Sequence, residues 1–580
     1  MDYSSDDSMD DPDYEPEISI GPYDNLSTDS DSDSSSNIPL SRLRFSIPRR
    51  ADSPNIPSSS GATSQYTEDE IVKNLIENVK WGMPRDNPPK SDEFTDVEGL
   101  KDIYQQMWAM GDPLDFYELL LTRDIVDVLV DQTNLYATQY LVSEEVDISA
   151  HSRTHSWRPV DAPEMYRFLA LIGWMGLVKL PNIRDYWRKH RLYGLPLARK
   201  IMARNRFELI LKFLHCSDNE QAPKDDRLAK IQNVLDMFIR NYQLVYTPGQ
   251  KICIDESLIP WRGRLLFRQY IPNKRHKYGI KLFKLCTDKG FTWNIIIYCG
   301  KSKTDQKDVS EKVCMDLAQK LLDHGRILYT DNYYTSVPLA YRLIHRKTGL
   351  VGTLRLSRKH LPKELVTANL KKGEVIGMES IDGKIAVNKW RDRRNVATLS
   401  TAHSAKKLVK VKTKRRPEVW KPESIVDYNS GKSSIDVSDQ MASYGSALRR
   451  CTKWYRKLLI ELVWGTSLVN AHFLYNKYTR KPQISITTFR EEVIDAMLTK
   501  YGNDTRDDSP RSGPRPKTHL MIDNVSNNKK RRGRCKGCYA IYGNKGLIVG
   551  GKRKLARQVS TICNVCRHFY CRTCFNEAHK

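Results

Sequence analysis

The chain has 580 residues and a net charge of +25, with 28% of its residues charged and 40% hydrophobic. Such a length requires several domains, each with its own core. The charge is uneven: residues 1–40 hold ten Asp, two Glu and no Lys or Arg, which leaves the remainder at about +37 and favours a polyanionic partner.

No N-terminal apolar segment resembles a signal peptide. The most apolar stretch, Phe168 to Leu180, contains Lys179 and is too short to span a bilayer. A soluble, intracellular protein without a membrane partner is expected. Six of the twelve cysteines lie between Cys535 and Cys574 in close pairs, and the others (Cys216, Cys253, Cys286, Cys299, Cys314, Cys451) sit among apolar neighbours. This pattern excludes a disulfide framework and points to a reducing compartment and a metal module.

In chain order, residues 1–96 read as a disordered acidic tail and linker, rich in Asp, Ser and Pro. From 97 to 250 the period is helical. Phe116, Leu119, Leu120 and Ile125 mark one amphipathic stretch. A strong helix is expected from Pro163, behind Asp161 as N-cap, to about Val178, and another from Arg204 to Leu214. Arg204 and Arg206 are read as surface residues able to touch phosphate.

The pattern changes at Lys251. Runs at 251–258, 278–286 and 291–299 suit strands. Val309, Val313, Leu317 and Leu321 mark a helix that Gly325 ends. A strand over 326–330, a helix over 337–346 and a strand over 349–355 complete the order β-β-β-α-β-α-β over 251–355. This is the order of an RNase H-like fold and gives an α/β class. Residues 356–430 are basic and strand-prone and are expected as a β-rich insertion, with Lys406 to Arg416 as an exposed loop. The core resumes over 431–452. A long apolar helix is expected from Trp454 to Tyr478 within a second helical part over 453–525, and residues 500–530 read as a polar linker.

Three aspartates suit a metal-binding core. Asp255 lies in the apolar run Ile252 to Leu258, Asp331 ends the run Ile327 to Thr330, and Asp436 lies in a helical pattern. Taken singly, such an Asp, as at Asp331 beside Asn332, is more often a turn or cap residue. An Asp inside an apolar strand is harder to explain that way, because an unpaired buried charge is costly. Asp255 and Asp331 are expected on neighbouring strands. Asp436 and Asp439 share a helix face that could close the site. Converging carboxylates of this kind can hold two magnesium ions, one activating the attacking oxygen and one stabilising the leaving oxygen.

Near Asp255 runs a basic, aromatic stretch holding Arg262, Arg264, Arg268, Lys274, Arg275, Lys277 and Lys281. It suits phosphate contact and base stacking, a solvated hairpin being the alternative.

The motifs Asp255-Glu256-Ser257-Leu258-Ile259-Pro260-Trp261-Arg262-Gly263-Arg264, Tyr270-Ile271-Pro272-Asn273-Lys274 and Thr330-Asp331-Asn332-Tyr333-Tyr334-Thr335-Ser336 form an ordered string. It continues through Val351-Gly352-Thr353-Leu354, Asp427-Tyr428-Asn429 and Ile435-Asp436-Val437-Ser438-Asp439-Gln440. Together they resemble the piggyBac family of DNA transposases over roughly 100–580. The resemblance implies an RNase H-like catalytic core with Asp255, Asp331 and Asp436 as catalytic metal ligands and Asp439 as a further acidic residue of the site. It implies end nicking, hairpin formation and joining to TTAA target DNA. It also implies that Trp454 lies near the DNA-handling surface, a core role being equally open, and that the helical parts form a dimerisation and DNA-binding domain. The residues before Asp436, Gly431 to Ile435, lack the glycine that members more often carry close to that Asp.

The tail 533–580 holds Cys535 and Cys538, Cys563 and Cys566, Cys571 and Cys574, and His579. Thiolates at this spacing can bind one tetrahedral zinc ion, and so short a segment needs a metal to fold. Two zinc ions need eight ligands. Seven are evident, and His568 is the candidate eighth in a cross-brace arrangement. The resemblance makes this the module that binds transposon ends. Lys529, Lys530, Arg531 and Arg532 form a basic cluster suited to nuclear localisation or phosphate contact. An active dimeric transposase in the nucleus is expected, with a domesticated DNA-binding or chromatin protein as the alternative.

Overall fold

The computed structural model describes residues 68–579 apart from 86–88, 102–103, 105–110, 144–148, 150, 224, 273, 275, 301–308, 414–415, 503–518, 527–528, 531 and 545–554. The acidic part of the tail therefore lies outside the described residues. The chain divides into two compact units, one of residues 1–149 and 159–502, the other of residues 150–158 and 503–580.

The first unit is built on a mixed ten-stranded sheet. Within it, strand Lys251–Pro260 is covered on both faces, burying Ile252, Cys253, Ile254 and Ile259, while Asp255 and Glu256 stay half-buried. On one side this strand pairs antiparallel with Tyr278–Thr287, and on the other it runs parallel to Ile327–Thr330, which runs parallel to Gly349–Thr353. Helices Val309–Ala318 and Val337–His345 supply the crossovers that parallel pairing requires. The expected order of elements from Lys251 to Thr353 is present, and Asp255 and Asp331 leave adjacent strands, with Ile254 opposite Thr330.

Two expectations need correction. Residues 356–430 do not form a separate insertion: Asn395–Ser400 pairs with Gly349–Thr353, and Ala386–Arg391 and Val375–Ser380 extend the same sheet. These strands bury Val387, Trp390 and Leu399. The segment expected as an exposed loop is largely a two-stranded ribbon of Leu408–Thr413 and Arg416–Pro422. The second correction concerns the boundary at 96. Helix Glu68–Glu77 buries Val72, strand Trp81–Gly82 pairs with Val375–Ser380, and Asp96 bonds the wholly buried Arg326 at 2.5 Å. Val72, Leu75 and Ile76, spaced along that helix, give it a face to bury, which the composition of the tail masks.

The helical part packs as the period predicts. Ala162–Leu177 starts behind Asp161, whose carboxylate accepts from the Glu164 N–H at 2.8 Å. Arg206 is not a surface residue: it is buried against Glu164, with Nε 2.8 Å from Oε1. The helix Trp454–Tyr478 is long and apolar enough to cross a membrane, yet 89% of that window is buried inside the fold, so it serves as a core helix. Its middle, Leu462–Ser467, widens to a π-helix.

In the second unit, Met521–Asp523 pairs with Thr561–Cys563, and helices Lys536–Asn544 and Arg572–Ala578 carry cysteines inward.

Candidate metal centres

Strand Lys251–Pro260 carries Asp255 and Glu256, Asp331 follows the adjacent strand Ile327–Thr330, and one carboxylate oxygen of each lies within 4.8 Å of the others. Local backbone holds two of them in place. Asp255 Oδ1 accepts from the Glu256 N–H at 2.8 Å, and Asp331 Oδ1 accepts from the Tyr333 N–H at 2.8 Å. Thr335 fastens the turn after Asp331 by donating to the Asp331 carbonyl at 2.8 Å. Arg355, bonded to Asn332 at 3.1 Å, flanks it.

Three carboxylates this close repel one another in a poorly hydrated site. Burial, together with Glu256, pushes Asp255 up to about 8. Burial also raises Asp331, against the Tyr333 N–H bond, with Glu256 adding to the rise. Glu256 goes the other way: burial opposes its charge, but the bond from Asp255 and the Lys281 ammonium at 2.9 Å hold it below its ordinary value. The pair thus keeps a proton where an ordinary carboxylate has lost it, and a divalent cation is the natural replacement for that proton.

Asp436 does not join this close set; Glu256 takes the third place. Asp436 lies exposed in the first turn of helix Ser434–Ser443. Its charge nevertheless bears on the buried Cys253 thiol, as do those of Asp255 and Asp331. Ile435 beside it packs into a cluster with Cys253, Cys286 and Tyr329, which seats this helix on the Asp255 strand. The preceding helix, Glu423–Gly431, docks through Asp427, which accepts from Lys251 at 2.8 Å and Tyr329 at 2.7 Å. Gly431 allows that approach, since a Cβ there would lie 2.5 Å from the Tyr329 ring. Asp439 is turned to other partners: the Ser257 hydroxyl at 2.7 Å and Lys284 at 3.1 Å.

The basic stretch is mixed in character. Arg262, Arg264 and Lys277 are exposed. Arg268 donates to the Arg262 carbonyl at 2.8 Å and lies over Tyr278, while Lys274 donates to the Glu256 carbonyl at 3.2 Å. Lys281 is committed to Glu256, not to solvent. Trp454 is buried edge-on to Phe267, a core position. Lys530 pairs with Asp523 at 2.8 Å, Lys529 lies in a short strand with Lys530, and Arg532 is exposed. Arg275 and Arg531 lie outside the described residues.

In the second unit the cysteines fall into two sets. Cys535, Cys538, Cys571 and Cys574 form one; His519, Cys563, Cys566 and His579 form the other. The Cys538 sulfur is 3.8 Å from that of Cys571 and 3.7 Å from that of Cys574. Tetrahedral ligands about 2.3 Å from one ion stand about 3.8 Å apart, so the first set fits zinc. In the second set His519 Nδ1 is 3.2 Å from Cys563 and 3.3 Å from Cys566, and His579 Nε2 is 3.4 Å from Cys566. His519, and not the expected His568, stands with Cys563, Cys566 and His579. His568 is exposed in the turn after Cys566, where its carbonyl accepts from the Cys563 N–H at 3.0 Å. His519 precedes Cys563 by a long polar stretch, and only its neighbourhood to Met521–Asp523, paired with Thr561–Cys563, reveals it.

The family described as Transposase IS4 matches residues 112–472. Human PiggyBac transposable element-derived protein 3 is 27% identical over 414 residues, covering 68% of this chain and 66% of its own length. The human chimeric ERCC6-PGBD3 protein matches at 27% over 37% of its length. The chain thus spans just under two thirds of the first of these proteins and little more than a third of the second. Human PiggyBac transposable element-derived protein 2 is 23% identical, with 74% and 72% covered. The cryo-EM structure of the piggyBac transposase synaptic complex with hairpin DNA shares the fold, with a TM-score of 0.60 at 23% identity over 70% of this chain and 83% of that one. The matched region contains Asp255, Glu256, Asp331, Asp436 and Asp439, and the chain belongs to the Transposase IS4 family, as a member of its piggyBac type.

Proposed function

We propose that the chain is a cut-and-paste DNA transposase with an RNase H-like core that cleaves at transposon ends and joins the freed 3′-hydroxyls to TTAA target DNA. The single observation that carries this reading is the Asp255, Glu256 and Asp331 cluster at adjacent strands, assembled against its own repulsion. A purely structural site gains nothing from such an arrangement, whereas hard oxygen donors at this spacing suit magnesium. Asp255 and Asp331 would hold two divalent ions with Asp436 from the facing helix, and the ions would supply an activated attacking oxygen and a stabilised leaving group.

The chain's own groups do the rest. Asp331 is fixed by its turn, so its carboxylate needs little reorganisation. Glu256, tied to Lys281, keeps its charge next to Asp255 and raises the site's demand for cations. Exposed Arg262, Arg264 and Lys277 would neutralise DNA phosphates. The two cysteine and histidine sets would hold two zinc ions and so fold the C-terminal unit, the part suited to reading the transposon end. Action in the nucleus as a homodimer on two DNA ends completes the reading.

The relatives named as transposable element-derived proteins favour a second reading, a domesticated DNA-binding protein that retains the fold. One assay separates them. Purified protein is incubated with magnesium and a duplex carrying TTAA-flanked inverted repeats from its own gene's flanks. Strand cleavage that Asp331→Asn abolishes, with DNA binding retained, supports the transposase; binding without cleavage by the wild-type chain supports the second reading.

A further inference from the structure

Asp439 stands one turn after Asp436 on helix Ser434–Ser443, close enough in sequence to be taken for another metal ligand. Its partners say otherwise. The Ser257 hydroxyl lies 2.7 and 2.9 Å from its two oxygens, and the Lys284 ammonium lies 3.1 Å from Oδ1. Both partners belong to the sheet face that carries Asp255: Ser257 is two residues along the same strand, and Lys284 is the direct cross-strand partner of Asp255. Lys284 is only 1% exposed. Its remaining counter-charge is Glu461, itself buried in the core helix. An ammonium enclosed this way cannot follow a departing partner into water, and drawing Asp439 towards a cation would strand it.

We propose that Asp439 is a positioning residue and not a metal ligand: held by Ser257 and Lys284, it pins helix Ser434–Ser443 to the Asp255 strand and so sets where Asp436 stands. The inference rests on the metal-dependent reading above and assigns the division of labour within that site. Lys284 thereby acquires a role through Asp439, without touching DNA or ions.

The test measures manganese binding to zinc-replete protein by calorimetry, alongside manganese-dependent cleavage. Ser257→Ala changes no charge. If Asp439 is an anchor, Ser257→Ala weakens manganese binding roughly tenfold, in the range usual for groups that orient metal ligands, and slows cleavage to a similar degree. Lys284→Met weakens binding at least as much, and Lys284→Arg recovers most of the loss. If Asp439 is a ligand, releasing it from Ser257 or Lys284 leaves manganese binding unchanged or tighter, and that result overturns the proposal. Should Lys284→Met lose its melting transition, the direction of the Ser257→Ala effect decides alone. Wild-type protein that binds no manganese would overturn the functional reading along with this one; wild-type binding with an unaltered Ser257→Ala overturns this one only.

Discussion

Replacing Asp255 by Asn should make the cation-free protein more stable while removing its response to magnesium. Burial and Glu256 push Asp255 up to about 8 from its ordinary 3.8. A carboxyl whose folded value is raised contributes most stability below its unfolded value and loses it as pH climbs towards the folded one. At pH 7 the loss amounts to about 4 kcal/mol at most, taking about 1.4 kcal/mol per unit. Asn keeps the shape without the charge, so the variant should recover on the order of 1–4 kcal/mol. In the wild-type chain a cation supplies the same relief: a ligand at a hundred times its Kd stabilises by about 2.7 kcal/mol. The assay is thermal melting of zinc-replete protein in chelator-free buffer, with and without magnesium. The expected pattern is a crossing, in which Asp255→Asn melts above wild type without magnesium and gains nothing when it is added. A variant that melts below wild type without magnesium, or that responds to magnesium as wild type does, would show that the Asp255 charge is neither the destabilising group nor the cation's partner.

Arg206→Met should destabilise the larger unit by about 3–5 kcal/mol in denaturant titration, because it leaves Glu164 buried without its partner; adding Glu164→Gln should restore much of the loss. His519→Ala should lower bound zinc from two ions to one per chain by elemental analysis, whereas His568→Ala should leave both. Glu461 is pushed up to about 7, chiefly by burial and further by Asp439, against Lys284 and Arg490. Its contribution is full below about pH 4.5 and fades as pH rises to about 7, by up to about 3 kcal/mol. Glu461→Gln should therefore flatten the fall in melting temperature over that window, and an unchanged slope would count against the assignment.

The parts of the fold that announced themselves in the sequence are those with a strong period or a hard stop. Strand Lys251–Pro260 is a short apolar run, helix Val309–Ala318 repeats its apolar residues every four, and Gly325, at a φ of 70°, marks the turn before the next strand. That was enough to set Asp255 beside Asp331. Strand neighbours separated by long connections were not legible. The strands from Val375 to Ser400 carry the same alternation whether they close a separate domain or extend the central sheet, and only pairing with Gly349–Thr353 decides.

Charged residues misled for a related reason. Arg206 and Lys281 look like surface cations in one dimension, and each is turned inward by a carboxylate of another element. Alternation assigns Glu256 to the face opposite Asp255, yet the two stand mid-strand with carboxylate oxygens within 4.8 Å of each other, a proximity that a strand period does not reveal. His519 gave no spacing signal at all, being a lone histidine in a polar segment.

On the function proposed above, Asp255, Glu256 and Asp331, with Asp436 from the helix packed on their strand, form a divalent-cation site. Anomalous scattering from crystals of zinc-replete protein grown in manganese tests it directly. A manganese peak is predicted between the Asp255 and Asp331 carboxylates, separate from the two zinc peaks and lost in Asp331→Asn. Filled zinc sites with no scattering between those two aspartates would contradict the account.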